Sequence, residues 1–193
     1  MGYTTTLLIL NIAVFLLQFA LGSIAIDWLG FTPSLALSRP WTFITAMFLH
    51  AGLLHILFNM FALLSFGPLL EYKLGSNRFL ALYLAGGVLG NIGYWLTALN
   101  STVPGIGASG AIFTILGALA VLEPNLVVFV GFLPLPMYIA AVFWLLTEFF
   151  LLGIPDSIAR GAHLAGLVAG LIYGYYHKHR PLQSDRRYIG GPF

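Results

Sequence analysis

The chain has 193 residues, 60% hydrophobic and only 7% charged, with a formal charge of +2 and a mean hydropathy of +0.95. A soluble domain carries roughly 25% charged residues, so these few charges cannot coat a water-exposed surface, and a water-soluble globule is excluded. The absence of cysteine excludes a catalytic thiol and a thiolate metal site. In a bilayer every backbone amide must be paired internally, which leaves helix bundles or closed barrels. The apolar runs are long and continuous rather than short and alternating, so they are helices.

A membrane-crossing helix needs about 20 apolar residues. In chain order the candidates are Thr4–Ile26, His50–Leu70, Phe79–Leu99, Gly105–Leu122, Val127–Leu151 and Ala159–His177. No Lys or Arg precedes the first, so it reads as a retained span rather than a signal peptide. The loop Asp27–Met47 is longer and still apolar, with part of it expected at the membrane interface. Short connections are expected after the second and fourth spans. Gly86, Gly87, Gly90 and Gly93 in the third span, and Gly166, Gly170 and Gly174 in the sixth, offer small-residue faces for close packing. With six spans, Lys73, Arg78, Lys178, Arg180, Arg186 and Arg187 share one side, and Arg39 and Arg160 the other. The positive-inside rule then places both termini in the cytoplasm. Residues 1–178 read as one transmembrane core and 179–193 as a basic cytoplasmic tail.

Polar groups inside a bilayer are costly, and each invites a functional question. The second span carries His50, His55 and Asn59; the fourth opens with GIGASG and places Ser109 in its first turn; the sixth opens with GAHLAG and His163. These spans run in the same direction, so their beginnings lie at one depth, in the outer leaflet. A serine hydroxyl becomes a nucleophile when a neighbouring base takes its proton, and histidine is the usual base. Ser109 at a helix N-terminus meets unpaired amides that favour negative charge. Gly107 and Gly110 flank it and permit a tight turn and close substrate approach. His55 and Asn59 are four apart and share a helix face. Both can donate hydrogen bonds, as an oxyanion hole requires, although a helix–helix clamp is an alternative. The glycine spacing from Gly166 would bring the sixth span, and His163 with it, to Ser109. His50 reads as an interfacial or loop-pinning residue. Glu148 reads as a structural hydrogen bond or an interfacial group in preference to a third catalytic member.

Together these residues resemble the rhomboid family of intramembrane serine proteases over about Trp41 to Tyr173. The pieces are HAGLLHILFNM at His50–Met60, GPLLEYKLGSNRF at Gly67–Phe79, GASG at Gly107–Gly110 and AHLAGLVAG at Ala162–Gly170. The resemblance implies an all-α membrane protein, a six-helix bundle with an interfacial first loop. It implies Ser109 as nucleophile and His163 as general base, in a dyad without an acid. His55, Asn59 and the Ser109 amide would form the oxyanion hole, and His50 would lie near the active-site mouth. Two departures stand out. The Trp-Arg pair usual in the first loop reads Trp41-Thr42, which puts arginine anchoring of that loop in doubt. Phe113 stands where a tyrosine often packs on the catalytic histidine, so stacking survives without the hydroxyl. The chain looks like the minimal six-helix core, expected in a plasma (inner) membrane.

The implied reaction is cleavage of transmembrane segments of other membrane proteins near the outer leaflet. Substrates would arrive past the fifth span, where Phe143, Trp144, Phe149 and Phe150 are bulky. Expected partners are transmembrane substrates and the lipid bilayer, with no nucleic acid, no cofactor and no metal. A metalloprotease would need H-E-x-x-H, which is absent; an aspartyl type would need mid-membrane aspartates, but Asp27, Asp156 and Asp185 lie at or beyond span ends. The alternatives are a non-catalytic rhomboid-like protein that binds membrane clients, which would lack the Ser or the His, and a small transporter or channel.

Overall fold

The computed structural model describes residues 2–154 and 158–178. The basic tail 179–193, with Arg180, Arg186, Arg187 and Asp185, lies outside the described residues, as does Asp156. The long helices are α1 (Tyr3–Leu21), α4 (Leu53–Leu74), α5 (Ser76–Thr97), α6 (Ser109–Leu122), α7 (Met137–Phe150) and α8 (Arg160–His177). Between α1 and α4 lie two short helices, α2 (Ser23–Leu29) and α3 (Thr42–Thr45), and two 3₁₀ turns. The protein is an all-α, multi-pass membrane bundle. By length and hydropathy alone, α1, α4 and α5 suffice to cross a membrane.

Several predicted bounds need correction. The first span stops at Gly22, whose φ of 64° is open to glycine, and the chain turns into α2. The second begins after His50, which lies in the preceding loop. The fourth begins at Ser109, because Gly107 at φ 129° breaks the helix before it. The largest miss is the fifth span. Residues Val127–Val130 (β1) and Leu133–Pro136 (β2) form an antiparallel hairpin in register Val130↔Leu133, and α7 begins only at Met137. Gly131 (φ 63°) leads a two-residue turn of the kind that closes hairpins, and two prolines so close together, Pro134 and Pro136, each remove a backbone donor that a helix would need. The connection after α6 is therefore longer than expected.

The core is organised around α6, in which all but a few side chains are buried. It packs most extensively against α8, and both pack on α5. Glycine makes these contacts possible. A Cβ on Gly166 would stand 2.2 Å from the Gly110 carbonyl oxygen, and one on Gly170 2.1 Å from that of Thr114. A Cβ on Gly117 of α6 would meet the Leu167 oxygen at 2.3 Å, and one on Gly93 of α5 the Gly161 oxygen at 2.4 Å. These helices touch backbone to backbone, as the glycine spacing anticipated.

The other helices are clipped on by polar pairs. The Glu71 carboxylate accepts hydrogen bonds from the Tyr3 and Thr4 amides and the Thr4 hydroxyl at 2.7–2.9 Å, fastening the start of α1 to the end of α4. Lys73 forms an ion pair with Glu123 at the end of α6. The first loop is held by Arg39, which donates to the Asp27 carbonyl and lies 5.0 Å over the Trp28 ring, while Trp41 Nε1 donates to the Trp28 carbonyl. Arginine anchoring is thus supplied three positions before Thr42, whose own buried hydroxyl donates to the Arg39 carbonyl at 2.6 Å.

The contact between α6 and α8 gives the first prediction. Gly170→Ala forces a methyl into a backbone oxygen and should destabilise the protein by about 1–3 kcal/mol. Gly153→Ala, with nothing within 4 Å of the new methyl, should be close to neutral. Unfolding by SDS titration, followed by loss of helical circular dichroism, compares the two.

Candidate active site

Ser109 is the first residue of α6, and no side chain caps that helix. Its leading amides have no acceptor within the helix and favour an anion in front of them. The turn into α6 is held by the Gly107 amide, which donates to the Ala46 carbonyl at 2.9 Å. Further back, Phe31 and Gly105 exchange two backbone hydrogen bonds. The serine is thus presented from a fixed corner.

His163 lies in the first turn of α8 and reaches across the glycine contact. Its Nε2 is 2.8 Å from Ser109 Oγ. Its ring stacks on Phe113 at 4.4 Å between centroids and 12° between planes, so the stacking anticipated at that position is present. On the other ring edge, Nδ1 is 3.0 Å from Glu148 Oε1, and Arg160 Nη1 approaches Glu148 Oε2 at 3.4 Å. Glu148 is 8% exposed. An interfacial, solvated Glu148 is therefore corrected: its carboxylate is buried against histidine and arginine.

His55 and Asn59 come from α4 to the same corner. The Ala51 amide donates to His55 Nδ1 at 3.2 Å, which leaves the ring proton on Nε2. A Cβ on Gly107 would lie 2.9 Å from His55 Nε2 and 3.7 Å from Ser109 Oγ. The Nε2–H edge therefore faces the niche beside the serine. Asn59 Nδ2 donates one hydrogen to the His55 carbonyl at 2.8 Å and keeps a second for another acceptor. His50 is fully buried, its ring 5.1 Å from that of His55. Its amide donates to Gln18 Oε1 at 2.9 Å and its carbonyl accepts from Gln18 Nε2 at 2.6 Å. The loop is pinned to α1 by this pair through the backbone of His50 rather than its imidazole, and Gln18 went unsuspected; full burial also sets His50 apart from an interfacial residue. A glutamine within a mostly apolar span was the available signal.

Ser109 and Asn59 open onto a cavity of about 580 Å³ between α4, α6 and α7, floored by the hairpin. Phe58, Phe61, Ile112, Phe113, Leu116 and Trp144 give it an apolar lining. Among Phe143, Trp144, Phe149 and Phe150, only Trp144 lines the cavity, while the three phenylalanines are exposed on α7. Among the described residues no three or more His, Cys, Asp or Glu gather to hold a metal ion.

Residues 37–180 match the family model described as the Rhomboid domain. The chain belongs to the rhomboid family. It is 30% identical over 176 residues to the rhomboid protease GlpG of Yersinia pseudotuberculosis serotype I (strain IP32953), covering 90% of this chain and 62% of that one. It is 43% identical over 88 residues to the rhomboid-type protein YdcA of Bacillus subtilis (strain 168), covering 46% of this chain and 44% of YdcA. Over 79 residues it is 47% identical to the rhomboid protease GluP of the same organism, covering 41% of this chain and 15% of GluP. The chain thus spans less than two thirds of the length of these curated relatives.

The turn before the serine is the point at which a small change should be felt. Gly107→Ala meets a φ that L-residues rarely adopt and a ring at 2.9 Å. Labelling of Ser109 by a serine-directed fluorophosphonate should slow by on the order of 10²-fold, the cost of a misplaced reacting group, while helicity is retained.

Proposed function

We propose that this rhomboid is an intramembrane serine endopeptidase that cleaves transmembrane segments of other membrane proteins near the outer leaflet. The observation that carries the reading is the 2.8 Å contact between Ser109 Oγ and His163 Nε2, with Ser109 lining an apolar cavity. A substrate helix docks from the side against α4 and α7 and unwinds at its outer end, because an intact helix shields its own carbonyls.

The chemistry then follows the residues. Ser109 Oγ adds to the scissile carbonyl carbon while its proton passes to His163 Nε2. The oxyanion is met by the Ser109 amide, His55 Nε2–H and Asn59 Nδ2–H. The C–N bond breaks as His163 returns the proton to the leaving amine. Water then adds to the acyl ester, giving a proton to His163, and Ser109 is released when that proton returns to it. Gly110 and Gly166 hold α8 close enough for the pair to meet, Phe113 fixes the imidazole plane, and His50 supports His55. No cofactor enters.

With six spans, Lys73, Arg78, Lys178, Arg180, Arg186 and Arg187 fall on one side of the membrane and Arg39 and Arg160 on the other. That asymmetry supports a plasma (inner) membrane orientation with both termini, and the tail 179–193, in the cytoplasm.

The test compares wild type with Ser109→Ala, His163→Ala and Asn59→Ala on a reporter transmembrane substrate, alongside fluorophosphonate labelling. Ser109→Ala and His163→Ala should abolish cleavage and labelling. Asn59→Ala should lose on the order of 10²–10³ in turnover. Wild-type cleavage by Ser109→Ala would rule the mechanism out. Folded wild-type protein that neither labels nor cleaves would favour a client-binding rhomboid.

A further inference from the structure

The two-residue mechanism leaves Glu148 without a task, yet its carboxylate is buried beside the reacting pair. It stands on α7 among Phe143, Trp144, Leu145, Leu146, Phe149 and Phe150, where a charge is costly unless something repays it. Its partners are His163 Nδ1 at 3.0 Å and Arg160 Nη1 at 3.4 Å, one on each carboxylate oxygen.

The chemistry of these contacts is restrictive. An ionised carboxylate only accepts hydrogen bonds, so the imidazole nitrogen facing it carries a proton. A neutral imidazole has one such proton. Placing it on Nδ1 leaves Nε2 as a lone pair, aimed at Ser109 Oγ at 2.8 Å. That is the tautomer a general base requires, and the hydrogen bond on the far nitrogen selects it. When the serine proton arrives, the imidazolium formed lies beside an opposite charge. Arg160 and His163 are three apart on α8 and share a face, so Arg160 can hold one carboxylate oxygen while the other meets the ring.

We propose that Glu148 is a positioning residue for His163, braced by Arg160, and that the site works as a Ser109–His163–Glu148 chain rather than a two-residue one. The proposal rests on the proteolytic reading above and replaces its acid-free dyad. Glu148 touches neither the serine nor the scissile bond; it acts through the imidazole.

The test measures kcat and KM on a reconstituted transmembrane reporter for wild type, Glu148→Gln, Glu148→Ala, Glu148→Asp and Ser109→Ala. Thermal unfolding and ¹⁵N-histidine NMR are recorded on each. Glu148→Gln and Glu148→Ala should lower kcat by on the order of 10²-fold or more, with KM within about twofold of wild type. Glu148→Asp, which keeps the charge, should recover part of the rate. The Nδ1–H tautomer of His163 should dominate in wild type and give way to Nε2–H in Glu148→Ala. If Ser109→Ala is dead while both neutral Glu148 variants turn over at the wild-type rate, the positioning role is wrong and the two-residue site stands. If activity falls only in step with thermal stability, and Glu148→Ala keeps the Nδ1–H tautomer, the role is packing and the proposal is overturned. Cleavage by Ser109→Ala would instead overturn the proteolytic reading itself.

Discussion

Everything in this molecule is hung on the contact between the backbones of α6 and α8. In lipid no hydrophobic force draws helices together, so close van der Waals approach must hold them. Gly117, Gly166 and Gly170 remove the side chains that would otherwise keep the helices apart. The same contact sets the distance between Ser109 and His163. Since no flexible side chain stands between the two backbones, packing and the Ser109–His163 distance share one determinant.

The remaining helices supply what that contact cannot. α4 brings two donors to the niche at Gly107 and keeps its own end attached to α1 through Glu71. α7 contributes one wall of the apolar cavity and a carboxylate behind the imidazole. The α1 helix reaches the site only indirectly, through Gln18 and the loop carrying His50. Each of α1, α4, α6, α7 and α8 therefore meets the site through one or two polar groups, while its apolar faces answer to lipid and to neighbouring helices.

How far the sequence reveals this depends on which physical signal each part emits. Long apolar runs place the helices, and glycines spaced four apart announce the helix contact that joins Ser109 to His163. The hairpin at 127–136 was hidden because its residues are as apolar as a membrane helix; only Gly131, Pro134 and Pro136 mark it, and a window of mean hydropathy averages them away. Gln18 and Glu148 were underread for a related reason. Their partners lie 32 and 15 residues away in sequence, and no local pattern links positions that far apart. The cost of a lone polar group in lipid was the available clue at both.

The length of α6 carries a consequence of its own. Fourteen residues make a rod of about 21 Å, some 9 Å short of a hydrocarbon layer about 30 Å thick. Being enclosed by its neighbours, this rod is not obliged to match the lipid. Its far end carries Glu123 in an ion pair with Lys73, which belongs at the polar boundary, so the shortfall accrues at the serine. The irregular chain leading to Ser109 is tolerable at such depth because Phe31, Ala46 and their neighbours occupy its amides and carbonyls. The protein in effect draws the shoreline of the membrane inward, toward Ser109.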